Sequence, residues 1–207
     1  MKWLFLASGR GSNFEAVAKA VQAGKLPNTQ IVGLICNRAK APVLATAESL
    51  GVPSLLIDSS SFRTANGKWD RPAYEAELEK QIAHFQPDMV ALGGYMLLLS
   101  KSLVQRWSNR IVNIHPSLLP AFPGLGAQKQ ALDAGAKRTG CTVHLVNEHL
   151  DAGAVVEQRE LDILPGENEA SLSERLLPLE HAAYVHAIDR LSREKFEVRG
   201  NQIVWLG

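Results

Sequence analysis

Cysteine is almost missing from this chain of 207 residues: only Cys36 and Cys141 occur, far apart in sequence and outside any metal-ligand spacing. That excludes a disulfide framework and a cysteine-rich metal site, and a reducing, cytoplasmic setting is expected. Long apolar runs are missing too, since none approaches the ~18 residues of a membrane span. The Trp3–Ala7 run after Met1-Lys2 has five residues, against roughly seven to fifteen for the apolar core of a secretory signal. It reads as a first strand. Nor is there charge of one sign: 22 Lys and Arg against 21 Asp and Glu leave +1, so neither nucleic acid nor a membrane surface is an expected partner. The glycines after the first strand stop short of Gly-x-Gly-x-x-Gly because residue 14 is Phe14, which argues against NAD. The chain carries no internal repeat and no low-complexity segment.

What is present suits an α/β fold. The chain is 46% apolar, and a domain of this size buries roughly 70% of its extended-chain surface without outside staples. Strands are expected at Trp3–Ala7, Gln30–Cys36, Ser54–Ile57 and Met89–Leu92, with helices at Phe14–Val21, Val43–Leu50 and Arg71–His84 between them. This alternation is the pattern of a parallel sheet wound with helices. Residues 58–70, rich in Ser, Arg, Asn, Gly and Lys, read as an exposed loop. A short helix at Lys101–Trp107, a second at Lys129–Ala134, and strands at Thr142–Val146 and Ala154–Leu161 follow. A long helix from Glu169 to Leu191, interrupted near Pro178, and a terminal hairpin of 196–199 and 202–206 complete the chain. One domain over 1–207 is expected.

The chemistry centres on Asn113-Ile114-His115-Pro116-Ser117-Leu118-Leu119-Pro120, with Pro123-Gly124 soon after. It follows Ile111-Val112, the end of a buried strand, and strand side chains repeat every two residues, so Asn113 and His115 share one face. Three prolines then bar both helix and sheet pairing. An amide beside an imidazole at the carboxyl end of a parallel strand lies where open α/β sheets bind ligands. Two glycine-bearing turns have a similar ambiguity. Ser8-Gly9-Arg10-Gly11-Ser12-Asn13 is either a tight βα turn or a phosphate cradle at a helix N-terminus. Gly93-Gly94 before Met96-Leu97-Leu98-Leu99 is either ordinary core or the wall of a pocket for a flat ring. Asp151, in Leu150-Asp151-Ala152-Gly153, reads by itself as a turn former.

The whole stretch from Asn113 to Pro120 with its Pro-Gly resembles the signature of the folate-dependent formyltransferases, especially those acting on glycinamide ribonucleotide. The similarity runs along nearly the whole chain. It implies a Rossmann-like formyltransferase fold with a mostly parallel central sheet, helices on both faces and a C-terminal hairpin. The nucleotide would sit in the half formed by about 1–100, and the folate and catalytic groups in the half from about 101 on. By resemblance, Gly11, Ser12 and Asn13 hold the phosphate and Glu180 the ribose of the acceptor; Arg71, Met96, Leu97, Leu98, Leu99 and Asn113 contact the folate; Asn113, His115 and Asp151 are catalytic. Three positions depart from the family pattern. Leu97 stands where an Arg is frequent, Gly126-Ala127-Gln128 lacks the usual His residues, and Ala121 replaces a basic or polar residue.

The implied reaction moves the formyl group of 10-formyltetrahydrofolate, a co-substrate, onto the amine of glycinamide ribonucleotide in purine synthesis, with no metal. Charge develops on the formyl oxygen, where Asn113 and protonated His115 act as fixed donors. A carboxylate at Asp151 favours the charged imidazole, so that a proton is available, and the same His115 shuttles the proton lost by the amine towards the departing folate nitrogen. Methionyl-tRNA formyltransferase and formyltetrahydrofolate deformylase carry added domains for which this chain has no room. A formyltransferase of amino sugar nucleotides and a non-catalytic folate or nucleotide sensor are the alternatives, and the retention of all three catalytic residues argues against the sensor. A monomer or homodimer is expected.

Overall fold

The computed structural model describes residues 1–206. Two compact units are formed, Met1–Ile111 and the chain from Val112 onward. In the first unit the strands β1 (Lys2–Ala7), β2 (Gln30–Cys36), β3 (Ser54–Leu56) and β4 (Met89–Leu92) lie in the order β3-β2-β1-β4, and all three pairings are parallel. Their near-continuous apolar composition follows from burial on both faces: Trp3, Leu4, Phe5, Leu6, Leu34 and Ile35 are fully buried. Helices α1 (Ser12–Gln22), α2 (Val43–Ser49), α3 (Arg71–Phe85) and α4 (Lys101–Arg106) occupy the expected intervals.

Local chemistry sets the ends of α3. The Asp70 carboxylate accepts the Ala73 N–H at 3.1 Å, Pro72 fills the first turn, and Gln86 leaves the helix in a left-handed conformation. The helix then lies close on the sheet, for a Cβ at Gly33 would stand 2.3 Å from the Phe85 ring. Residues 58–70 form a largely exposed loop, as expected, with local order inside it. A 3-10 turn at Ser59–Ser61 leads to a bridge between Arg63 and Trp69, and the rings of Phe62 and Trp69 pack against buried Tyr74. Two aromatics within a polar segment supplied the apolar surface that a composition count diluted.

The second unit is antiparallel. Strand β5 (Ile111–His115) begins on the last residue of the first unit, and β6 (Arg138–Leu145) and β7 (Val155–Asp162) follow in the order β5-β6-β7. Strand β6 starts earlier than expected, at Arg138, because Thr139-Gly140-Cys141 pairs with β7 despite its glycine. A Cβ at Gly140 would stand 1.9 Å from the Arg159 carbonyl oxygen, so the glycine permits the approach. Helix α5 spans Ala127–Asp133 and α6 Glu169–Arg193.

Helix α6 is not interrupted at Pro178. That residue is exposed, so the lost backbone bond faces solvent. Leu172, Leu176, Ala183, Tyr184, Ala187, Ile188 and Leu191 form a continuous buried stripe on both sides of it. Burial of that stripe outweighs the ~3 kcal/mol preference against an internal proline. The chain ends in the expected hairpin, β8 (Lys195–Arg199) and β9 (Gln202–Leu206), where the Arg190 guanidinium lies 3.8 Å above the Trp205 ring.

Candidate active site

The expected strand end is itself strand. Asn113 and His115 are the third and fifth residues of β5, paired across the ladder with His144 and Thr142 of β6. Alternation puts all four on one face. His115 is 5% exposed, and both of its ring nitrogens meet oxygen: Nε2 donates to the Phe122 carbonyl at 2.9 Å, and Nδ1 lies 3.5 Å from Asp151 Oδ2. Both nitrogens of this one imidazole therefore face acceptor oxygens.

His144, which sequence reasoning placed only on a strand, belongs to the same cluster. It is 2% exposed, its Nδ1–H donates to the Leu145 carbonyl at 3.1 Å, and its Nε2 lies 3.7 Å from Asp151 Oδ1. Burial pushes its pKa below the ordinary imidazole value, against the smaller opposing pull of the Leu145 carbonyl and the Asp151 charge. A neutral ring with the proton on Nδ1 presents a lone pair at Nε2, and the Asn113 Nδ2 amide donates to it at 3.3 Å. This fixes which end of the amide is nitrogen and leaves its second N–H for a ligand. The alternation of Thr142, His144 and Val146 was the available signal, but only the register sets His144 opposite Asn113.

Asp151 is a turn former whose carboxylate also reaches both imidazoles. Its φ of 49° is left-handed, and its Oδ2 also accepts the Gly124 N–H at 2.8 Å. The loop is pressed onto β6, because a Cβ at Gly153 would stand 1.7 Å from the Leu145 carbonyl oxygen. Asn147 closes it, donating to the Ala152 carbonyl and accepting from His149 N–H. The carboxylate thus lies between two imidazoles and is 9% exposed.

The proline-rich loop is held by β6 and β7. Thr142 Oγ1 donates to the Ser117 carbonyl at 2.7 Å and accepts from Leu119 N–H at 3.0 Å and Gln158 Nε2 at 2.8 Å. Ser117 Oγ donates to the Ala121 carbonyl at 2.6 Å. These bonds carry the chain to Phe122, whose carbonyl reaches His115. The His-free segment has its own structural task. Gly126 begins α5 at φ 68°, and Gln130 Nε2 donates to the carbonyls of Pro123 and Leu125.

In the first unit, Gly11 caps α1 at φ 74°, and Ser12 and Asn13 form the helix's first turn rather than the preceding loop. A Cβ at Gly11 would stand 2.1 Å from Val43 Cγ2, so this glycine is required by packing as well as by conformation. Met96 and Leu98 are 51% and 65% exposed on the loop after β4. Arg71 opens α3 and donates to the Leu98 carbonyl. Glu180 lies on α6; its charge adds to the effect of burial in pushing the Cys141 thiol on β6 up to about 12. The second unit therefore brings Asn113, His115 and Asp151 together and adds His144. Gly11, Ser12, Asn13, Arg71 and Met96–Leu99, expected to hold the phosphate and the folate, belong to the first unit, and Glu180 to the second.

Residues 1–188 match the formyl transferase family model. The chain belongs to the formyl transferase family. It is 35% identical to the phosphoribosylglycinamide formyltransferase of Bacillus subtilis, over 92% of this chain and 94% of that protein. The Escherichia coli protein of that name is 34% identical over 100% and 93%. The trifunctional purine biosynthetic protein adenosine-3 of Drosophila melanogaster is 41% identical over 90% of this chain, which spans 13% of that longer protein. Among solved structures, glycinamide ribonucleotide transformylase 1 of Symbiobacterium toebii superposes with a TM-score of 0.92 at 35% identity, covering 100% of this chain and 94% of that one. The α/β formyltransferase fold thus extends along the chain. No helix among the described residues is long and apolar enough to cross a membrane.

Proposed function

We propose that the chain transfers the formyl group of 10-formyltetrahydrofolate to the amine of glycinamide ribonucleotide, a step of purine synthesis carried out in the cytoplasm. The observation that carries this reading is the Asp151 carboxylate between His115 and His144, with Asn113 tied to His144. Family membership and the named formyltransferase relatives support the same reaction. A non-catalytic sensor has no use for a buried carboxylate shared by two imidazoles.

The folate supplies an activated formyl carbon. As the amine adds, the free N–H of Asn113 and the imidazolium of His115 stabilise the charge growing on the formyl oxygen. His115 Nε2–H is held by the Phe122 carbonyl in the chain alone, so the formyl oxygen must share or replace that bond. Asp151 balances the imidazolium and aims Nδ1. The new bond joins the amine nitrogen to the formyl carbon, and the bond from that carbon to folate nitrogen breaks. His115 gives its proton to the leaving nitrogen and is restored by the proton lost from the amine. Gly11, Ser12 and Asn13 hold the acceptor phosphate at the start of α1, and Glu180 its ribose. Arg71 and the loop Met96–Leu99 receive the folate, the exposed Met96 and Leu98 offering apolar surface to a flat ring.

The test follows tetrahydrofolate release from 10-formyltetrahydrofolate with and without glycinamide ribonucleotide. Release that depends on the acceptor is expected. Release without it identifies a deformylase, and bound folate with no release directs the search to another amine, such as an amino sugar nucleotide.

A further inference from the structure

The loop between β4 and α4 is fastened at every second residue. Gly94 accepts at its carbonyl from Ser8 N–H at 3.2 Å, and Met96 N–H donates to Ser8 Oγ at 2.8 Å. The Leu98 carbonyl accepts from the Arg71 guanidinium, and Ser100 N–H donates to Glu75 Oε1 at 2.7 Å. Between the first two anchors, the hydroxyl of Tyr95 bonds that of Tyr74 on α3. Glu75 unites the last two anchors, because the same Oε1 also accepts from Arg71 Nε at 3.1 Å. Its side chain is only 12% exposed, against 38% for Arg71.

From this geometry we infer that Glu75 is a positioning residue: it aims the Arg71 guanidinium at the Leu98 carbonyl while holding Ser100 N–H, and so sets the backbone of the folate-facing loop without touching substrate. The inference rests on the folate reading proposed above. Arg71, Glu75, Glu79, Ser100 and Arg106 line a groove of about 310 Å³ on this unit. Its charges are matched within the chain, Arg71 by Glu75 and Arg106 by Glu79, which leaves Glu75 an internal task rather than that of a ligand for a cation. The two anchors differ in what they ask of residue 75. Ser100 N–H needs only an acceptor oxygen, which an amide supplies; alignment of Arg71 needs the acceptor and gains from the charge.

Glu75→Ala and Glu75→Gln separate this from a general loss of packing. Tetrahydrofolate binding is measured by calorimetry, and KM for each substrate and kcat by turnover. For Glu75→Ala, the folate Kd and the KM for the formyl donor are expected to rise about tenfold, with the KM for the amine acceptor unchanged. For Glu75→Gln, the amide oxygen keeps Ser100 in place and the rise is held to about threefold. Equal changes in both KM values, or a fall in Tm with the folate Kd unaltered, overturn the inference. So does a Glu75→Gln variant no better than Glu75→Ala. If the parent protein binds no folate, the proposed function and this inference fall together; if it binds and Glu75→Ala binds as well, only the inference falls.

Discussion

The two units build their candidate sites by opposite means. The first relies on backbone: α1 starts at Gly11, and the 94–100 loop is defined by which of its peptide groups are held. The second relies on side chains: His115 from β5 and His144 from β6 converge on Asp151 of a loop, and Asn113 is tied to His144. A backbone site announces itself through glycine, because only glycine combines positive φ with the absence of a Cβ. A side-chain site depends on which strand lies opposite which, and no local signal carries that register.

The sharpest way to test the side-chain half is to remove its hub. Asp151→Asn is expected to lower kcat a hundredfold or more, and His115→Ala about as much, with small changes in either KM. Because the two act as one unit, the double variant should cost little beyond the worse single one. Near-normal turnover in both single variants would remove the assigned mechanism. His144→Gln comes next, with kcat expected to fall about tenfold at unchanged KM, since it loosens Asn113 without removing it. A KM effect alone would return His144 to an ordinary core residue.

The backbone half should respond in stability. Gly11→Val would be a poor probe of phosphate binding, because its Cβ would enter Val43. Even Gly11→Ala is expected to cost about 1–3 kcal/mol and several degrees of Tm, measured by thermal melting, along with acceptor KM. An unchanged Tm would show that α2 moves aside freely. The smallest effect is in pH dependence. His144 holds its pKa below the ordinary 6.5 when folded, so below that pH the unfolded chain binds more protons. Its contribution to stability is therefore full above 6.5 and is lost as pH falls towards the folded value. Denaturant midpoints of the parent should decline over that window more steeply than those of His144→Gln; parallel slopes would mean that His144 titrates normally.

Much of the first unit was legible. Gln30–Cys36 and Met89–Leu92 are strands to the residue, because a continuous apolar run bounded by polar residues or glycine leaves few alternatives. The 58–70 segment is the exposed loop expected, but its averaged polarity concealed the packing of Phe62 and Trp69 against Tyr74. In the second unit, the break expected at Pro178 failed because propensity is local while the buried stripe of α6 is not. Asn113 and His115 were readable as a pair from alternation alone. His144 was not, although its strand was expected.

What the sequence determined by itself was the set of groups and their local frames: the glycines at 11, 124 and 153, the prolines that end β5, and an amide and an imidazole two residues apart on one face. These follow from steric rules that act within a few residues. Tertiary structure decided the rest. It chose the register that sets His144 against Asn113, carried Asp151 across 36 positions to His115, and turned a half-exposed arginine into an anchor for a loop 27 residues away. Those pairings are fixed by burial of whole faces and by the cost of leaving buried polar groups unpaired, terms that exist only once the chain has folded.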